Sequence, residues 1–573
     1  MSHSFLDILL QYNTTDYSTI LQARITFHNL PLFWTVSIAY PNHTVSNNMK
    51  GSLYSYPLFL LSVLSLGSAF VSTQRAIKLQ KNLHKSPLFA KKDIDGDITD
   101  SDNLREYFAT CIPGLASTLS DELISLGATN VEPSGTSGVR FCNDPASNVD
   151  IGMKALLWVR TAHRIMELVT TTEDFDDWDI EDRDGLYEFI QNTTPLQSLL
   201  GDGHGGLLTL SVSTTLNGQV PKELCHSHYT GLTVKNALVD VIRNKREDGI
   251  RPDVDTVDAD VPLLLVLRGN RDRRGCQASL FRILHAGGSL HKRGYRIATV
   301  HKAAMKESLA AGLLLEAGYH KLIEAAKNDG QPAVLVDPMA GSGTFCLEAA
   351  LIAADHAPGL MRMKYYDGES SRNPHQVPPV ARWKGSDRAQ WKEMVLDARE
   401  RAATGLEWIR AEDSKCVIMG NEFNPSAASL ALANIEKAGF SDFISINEGD
   451  CITWDLGGQE EDHSPAKVVV PGRAIVVCNP PWGLRLNEDI EESWLSLKSF
   501  LREQCNSAEA WVLSGNKETT RYLRMKKSRS VVIKTAEEDL RWIQYHVFRK
   551  KTSDAPPMPS QKQPLAKVGD DFV

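Results

Sequence analysis

The 573 residues are 42% hydrophobic and 23% charged, a balance that suits three or four folded units and excludes a disordered or fibrous chain. Sixty-two basic residues against 71 acidic ones leave a net charge of -9, so a polyanion must be met by a local patch, since no uniform basic coat exists. Nine scattered cysteines without a Cys-x-x-Cys pair argue against a zinc site or a disulfide scaffold and for a reducing compartment.

Residues 1–92 hold two acids, Asp7 and Asp16, against eight bases. They are also rich in Ser, Thr and Asn, the composition of a transit segment addressed to a chloroplast or mitochondrion. The uncharged stretch 53–72 is long enough to span a membrane, although its five serines weaken that reading. The stretch 1–92 therefore reads as a leader, cleaved or disordered, with a membrane anchor or an upstream gene-model extension as alternatives. Without an organelle address the protein would be cytoplasmic. At the far end, 550–573 has four prolines and no apolar periodicity, which predicts a disordered tail.

The first folded segment, 104–170, opens with a predicted strand at 108–111 and a Pro113-Gly114 turn. Leu115, Leu119, Leu123 and Leu126 then share one helical face, and Gly127 ends that helix. Strands at 138–142 and 164–170 flank a helix at 155–161, a pattern of a small α+β sandwich. A second module, 171–285, reads as helix 186–191, strand 207–212, helix 230–244 and strands 263–267 and 275–280. Basic residues gather in it at His226, His228, Arg243, Lys245 and Arg246, and at its end at Arg268, Arg271, Arg273 and Arg274. His291, Lys292, Arg293 and Arg296 follow.

From about residue 303 the pattern alternates. Met305, Leu309 and Leu313 mark a helix that Gly318 ends. Apolar strands at 334–336, 417–419, 443–446, 474–478 and 511–513 are separated by helices. The runs 531–533 and 543–548 form a terminal hairpin. Such alternation predicts a doubly wound, mostly parallel sheet with ligands at the carboxyl ends of its strands. The Pro-interrupted piece 358–383 reads as a surface excursion.

Three motifs fall at those carboxyl ends. Asp337-Pro-Met-Ala-Gly341-Ser-Gly343-Thr344 joins the first strand to a helix. Its glycines let the backbone approach a ligand, and free N–H groups at the helix start can face a polar end. Cys346 stands where a dinucleotide fingerprint needs glycine, and no P-loop Gly-Lys-Ser/Thr is present. Asp337 would repel a pyrophosphate and suits the ammonium group of an amino-acid ligand. In Gly420-Asn421-Glu422-Phe423-Asn424-Pro425, Asn424 caps a helix begun by Pro425 and ended by Gly439. Glu422 at the strand tip can accept both hydroxyls of a ribose. Asp450, beyond the next strand, can accept from an exocyclic amine. In Asn479-Pro480-Pro481-Trp482-Gly483, the prolines fix an extended chain and remove two donors. The Asn479 side-chain oxygen and the Pro480 carbonyl then converge as acceptors for a planar –NH2 group, and Trp482 offers a stacking face worth roughly 1–3 kcal/mol.

These motifs resemble the class I S-adenosylmethionine-dependent amino-methyltransferases. Upstream, Phe108-Ala-Thr-Cys-Ile-Pro-Gly-Leu115, Leu157-Trp-Val-Arg-Thr-Ala162 and His291-Lys-Arg-Gly-Tyr-Arg296 are similar to the THUMP-domain guanine-N2 methyltransferases of large-subunit ribosomal RNA. The resemblance runs from about residue 104 to 549. It implies a ferredoxin-like domain over 104–170, a THUMP RNA-binding domain over 171–285 and a Rossmann-like methyltransferase domain over 286–549. By matching position it gives Asp337, Gly341, Gly343 and Thr344 to the methionine part of S-adenosylmethionine, Glu422 to the ribose and Asp450 to the adenine. It gives Asn479, Pro480, Pro481 and Trp482 to the target base. Two residues depart from the family: Trp482 stands for the usual Tyr or Phe, and Glu422 for the usual Asp. Some bacterial relatives carry a second methyltransferase domain, which is not expected here.

The implied reaction is methyl transfer to guanine N2 in ribosomal RNA, free or in a pre-ribosomal particle, with S-adenosylmethionine as donor and no metal. The target base must leave its stack, which favours single-stranded or loop RNA. Arg271, Arg273, Arg274, His291, Lys292, Arg293 and Arg296 are the expected phosphate contacts. The alternatives are a transfer-RNA guanine-N2 or adenine-N6 methyltransferase and a non-catalytic RNA-binding or ribosome-assembly factor. A protein-glutamine methyltransferase shares the Asn-Pro-Pro motif, but the RNA-binding front half argues against it.

Overall fold

The computed structural model describes residues 105–175, 179–269, 274–297, 304–366, 373–456, 472–481, 490–505, 508–535 and 538–548, together with four strands within residues 4–45. The chain divides into two units, 1–96 and 97–573. In the first, β1 (Ser4–Thr14), β2 (Tyr17–Phe27), β3 (Trp34–Tyr40) and β4 (His43–Val45) form an antiparallel meander. These runs are rich in Ile, Thr, Val and aromatic residues, which fit a pleated surface. Strands thus fall in the early part of the stretch read as a cleaved or disordered leader. The candidate span at 53–72 and the tail at 550–573 lie outside the described residues. Among the described residues no helix is long and apolar enough to cross a membrane.

The second unit begins with β5 (Glu106–Thr110), α1 (Ala116–Ser125), β6 (Thr129–Pro133), β7 (Gly138–Cys142), α2 (Ile151–Trp158) and β8 (Arg164–Thr171). Leu115, Leu119 and Leu123 are fully buried, and Gly127 takes the left-handed φ of 95° that a helix end needs. Next come α3 (Arg183–Thr193), α4 (Leu196–Leu200), β9 (Leu210–Asn217), α5 (Ser227–Lys245), β10 (Val261–Gly269) and β11 (Cys276–Ile283). All seven strands join one sheet in the order β6-β7-β5-β8-β11-β10-β9. The two modules read from the sequence are therefore fused through the antiparallel β8–β11 pair, in which Phe281 lies opposite Leu168. That pairing joins residues about 110 positions apart and leaves no local pattern. The unexpected strand β6 has no fully buried residue, so it lacks the apolar alternation by which strands are recognised.

The remaining elements are α6 (Glu307–Glu316), α7 (Tyr319–Asp329), β12 (Ala333–Asp337), α8 (Thr344–Ala353), α9 (Pro358–Lys364), α10 (Arg388–Arg410), β13 (Cys416–Glu422), α11 (Pro425–Ala438), β14 (Ile444–Glu448), β15 (Ala474–Cys478), α12 (Ile490–Gln504), β16 (Glu509–Ser514), β17 (Lys527–Lys534) and β18 (Asp539–His546). The strands form a second seven-stranded sheet, β14-β13-β12-β15-β16-β18-β17. Its first five strands are parallel and the terminal hairpin is antiparallel, as the alternation predicts. Every residue of β12 and β15 is buried, the signature of central strands covered by helices on both faces. Chain progression reverses between β12 and β15, so a crevice opens beyond their carboxyl ends.

The piece 358–383 is not the expected surface excursion. Val380, Ala381 and Trp383 are buried, as is most of α9. The Trp383 indole donates to the Asp260 carbonyl at 2.7 Å, the Arg282 guanidinium lies 4.0 Å over its ring, and Arg382 pairs with Asp258 and Asp260 at 3.2 Å. Its prolines shape a clamp that ties the second seven-stranded sheet to the front sheet. Truncating this indole in Trp383→Ala should cost about 3–5 kcal/mol, read as a lower unfolding midpoint by calorimetry. An unchanged midpoint would show that the clamp carries no load.

Candidate functional site

Three strand tips frame the crevice, and one buried amide pins them together. Asn421, 1% exposed, donates through Nδ2 to the carbonyls of Pro338 at 3.2 Å and Gly449 at 2.9 Å, and accepts from Asn447 at 2.6 Å. The Asn421 carbonyl accepts from Ala340 N–H at 2.8 Å. The loops after β12 and β14 are thus fastened to β13, with Asp337 opposite Gly420 and Glu422 opposite Glu448.

The glycine loop fits its expected work. Gly341 and Gly343 have φ of 56° and 77°, a region that disfavours side chains. A Cβ on Gly343 would stand 3.2 Å from that of Ala431, whereas nothing lies within 4 Å of the corresponding position at Gly341. Open space therefore adjoins the backbone at Gly341. Glu422 accepts from Gly341 N–H at 2.7 Å and from Asn424 N–H at 2.9 Å, so this carboxylate braces the loop as well as standing at the tip. A carboxylate at this tip can also accept from a hydroxyl. Asn424 caps α11 as expected, accepting from Ser426 and Ala427 N–H. The Phe423 ring, 72% exposed beside Glu422, is an apolar face that the sequence reading did not single out.

Asp337 is 1% exposed, accepts from Met339 N–H at 3.2 Å, and has its carboxyl pushed well above the ordinary value of 3.8 by burial, with the Glu422 charge adding to the rise. No cation figures among the influences on it. A buried carboxyl with no cationic partner among the described residues, beside an open glycine loop, fits a ligand that carries an ammonium group.

On the other side of the switch point, β15 runs into the Asn-Pro-Pro hook. Pro480 is buried, and the Pro481 carbonyl accepts from the Trp494 indole at 2.7 Å. Trp494 is fully buried in α12. The same helix reaches Asp450 through Ser496, whose hydroxyl donates at 3.2 Å, while Asp450 also caps the turn after it by accepting from Ile452 N–H at 3.0 Å. Trp482 lies outside the described residues. Asn421 and Trp494 are the supports that sequence reasoning missed; a lone Asn and a helical Trp carry no signal without their burial.

The expected RNA contacts divide. Arg293 is fully buried, donates to the Leu290 carbonyl at 2.6 Å and to the Arg160 carbonyl, and lies 3.4 Å from Glu348. Arg296 pairs with Glu307 at 3.0 Å, donates to the Met305 carbonyl, and reaches the Thr344 hydroxyl at 3.2 Å. Both arginines are corrected here from phosphate contacts to internal braces of the helix behind the glycine loop. His291 is half-buried, hydrogen-bonded to Ser289 at 2.7 Å, and held neutral by burial and by the neighbouring His163, pushed down to about 3. Lys292 and Arg274 are exposed. Arg271 and Arg273 lie outside the described residues.

If Asp337 awaits a cation, ligand-free stability associated with its protonated form is fully present below its ordinary value and lost as pH rises through the raised one. Asp337→Asn should therefore raise the ligand-free unfolding midpoint at neutral pH. It should also weaken S-adenosylhomocysteine binding roughly tenfold or more, the worth of one hydrogen bond to a charged group. A variant that bound the ligand as tightly as the parent would remove Asp337 from the site.

Residues 106–166 match the family described as RlmL ferredoxin-like domain, and residues 293–544 match UPF0020, described as RMKL-like, methyltransferase domain. A ribosomal RNA large subunit methyltransferase K/L of Hydrogenovibrio crunogenus is 30% identical over 426 residues, 74% of this chain and 50% of that protein. The protein of the same description from Pseudomonas putida strain W619 is 31% identical over 416 residues, 72% of this chain and 48% of that one. The chain spans about half the length of these curated relatives. Among solved structures, SMU.472 in complex with SAH shares the fold at a TM-score of 0.58 and 19% identity, over 78% of this chain and 100% of that one. A Clostridium difficile 630 protein described as a possible methylase does so at 0.57 and 20%, over 80% and 100%. The chain thus joins an RlmL-type ferredoxin-like domain to an RMKL-like class I methyltransferase domain, and in both it resembles the large-subunit ribosomal RNA methyltransferases.

Proposed function

We propose that this chain transfers a methyl group from S-adenosylmethionine to the exocyclic N2 of a guanine in large-subunit ribosomal RNA. The observation that carries the reading is the Asn479-Pro480-Pro481 hook, braced from behind by Trp494, across the switch point from a glycine loop whose buried Asp337 carboxyl pairs with no cation among the described residues. Asp337, Gly341, Gly343 and Thr344 would hold the methionine part of the donor, Glu422 its ribose, and Asp450 with the exposed Phe423 its adenine. The part of the front sheet formed by β9, α5, β10 and β11 serves as a THUMP RNA-binding domain in this reading. The basic, Ser/Thr/Asn-rich composition of residues 1–92 supports an organellar address.

The donor supplies an electrophilic methyl carbon whose bond to sulfur breaks with its electron pair leaving on sulfur. The chain's own residues must present the nitrogen. An exocyclic guanine amine is conjugated and poorly nucleophilic. Hydrogen bonds from its two N–H groups to the Asn479 oxygen and the Pro480 carbonyl favour a pyramidal nitrogen with its lone pair aimed at the methyl group. After attack the nitrogen carries an extra proton, which the same acceptors can hold until solvent takes it. Because the prolines and the Trp494 bond fix the hook in advance, little reorganisation remains for the transition state.

Asn479→Ala should retain S-adenosylhomocysteine affinity within about threefold while methyl transfer to unmodified ribosomal RNA falls by two to four powers of ten, roughly the range of a lost positioning or transition-state contact. Digestion of the labelled product should yield N2-methylguanosine. Unchanged turnover in the variant would remove the hook from catalysis. Label in N6-methyladenosine, or transfer only to transfer RNA, would replace the substrate.

A further inference from the structure

The loop after β11 does more than connect the two sheets. It forms one wall of a cavity of about 300 Å³, whose other wall is α9 and the segment around Pro374. Ser289, Lys292, Arg362, Tyr365, Tyr366 and His375 line it, and among the described residues no carboxylate does. Two glycines make the close approach feasible. Gly287 has φ 76° and a Cβ there would stand 3.0 Å from the His375 ring; Gly294 has φ 88° and a Cβ there would meet Tyr365 at 2.5 Å. Gly294 belongs to the His291–Arg296 motif, whose arginines turned inward, and Lys292 of that motif remains exposed at the cavity.

Arg362 is the telling residue. It is 3% exposed, and its guanidinium donates to the Leu156 carbonyl at 2.6 Å and the Leu290 carbonyl at 3.2 Å. Among the described residues no carboxylate pairs with it. Burial and the nearby Arg293 push it down to about 9 against an upward pull from Glu348, the carboxylate that pairs with Arg293, so among the described residues two buried guanidiniums share one carboxylate. Carbonyl dipoles position such a cation but do not neutralise it, and an anion entering the cavity would do so. Around it stand the Tyr366 and His375 rings, edge to face at 5.7 Å, and Tyr365 with the Lys364 ammonium 4.8 Å from its centroid. Cations beside aromatic faces in a volume of this size suit a phosphate joined to a flat base.

We propose that this cavity, lined by Lys292, Arg362, Tyr365, Tyr366 and His375, is a nucleotide-phosphate site separate from the catalytic crevice, and that a nucleotide of the RNA substrate occupies it. The phosphate lies against Lys292 and Arg362, and the base against the tyrosine and histidine rings. The loop that forms the wall continues to Arg296, which touches Thr344 of the glycine loop at 3.2 Å, so occupancy is communicated toward the donor site. The assignment to RNA rests on the proposed function; the phosphate chemistry does not.

Lys292→Glu in the full chain tests it, because Lys292 is exposed and its loss should not unfold the protein; Tyr366→Ala is the second variant. Inorganic phosphate and guanosine monophosphate should raise the unfolding midpoint of the parent and not of Lys292→Glu. Affinity for a ribosomal RNA fragment should fall roughly tenfold in that variant, with a salt slope smaller by about one, while affinity for S-adenosylhomocysteine is retained. A phosphate and nucleotide response with unaltered RNA binding would make the occupant a free nucleotide and overturn the assignment to RNA. No response to either probe, with RNA binding also unaltered in both variants, would overturn the site itself. Should the parent methylate no RNA at all, the phosphate and nucleotide arms still decide whether the site exists.

Discussion

The crevice depends on a buried amide. Asn421 holds the loops after β12 and β14 against β13 through three side-chain hydrogen bonds, in a place where an unmet polar group would be costly. Everything proposed for the donor site follows from that fastening. It sets Asp337 and Glu422 at adjacent tips and lets two left-handed glycines bring the backbone close to open space. Among the described residues no cation pairs with the buried Asp337 carboxyl, and burial favours its neutral form. A site built this way is electrostatically incomplete until a cationic ligand enters.

The opposite bank of the crevice has its own support. The Asn-Pro-Pro hook is stiff because proline restricts it and because Trp494 binds the Pro481 carbonyl. Helix α12 also meets Asp450 through Ser496, so one helix braces both the proposed adenine contact and the base hook. On the proximal side Arg293 and Arg296 tie α8, which begins at the glycine loop, to the segment arriving from the front sheet. The clamp around Trp383 adds a second tie between the two sheets. These links give the front half a physical route to the donor loop.

Much of this was legible in the chain. The alternating strands and helices, the terminal hairpin, the cap at Asn424 and the glycine loop all carry local signatures, and each stands where its pattern put it. What was not legible depends on contacts distant in sequence. The β8–β11 pair that merges two modules leaves no periodicity, and β6 is too exposed to show alternation. The piece 358–383 looked like a loop because prolines punctuate it, yet it is buried through Trp383 and α9. A run of basic residues at 291–296 reads as a phosphate-binding face until burial shows Arg293 and Arg296 turned inward. Charge alone does not report which way a side chain points.

Proton exchange on ligand binding probes the electrostatic gap at Asp337 most directly. Calorimetric titration with S-adenosylhomocysteine above the ordinary carboxyl range, in two buffers of different ionisation enthalpy, reports protons released as the ligand ammonium lowers the raised carboxyl. The account predicts release in the parent protein and its loss in the Asp337→Asn variant. Equal proton exchange in the two proteins would contradict it.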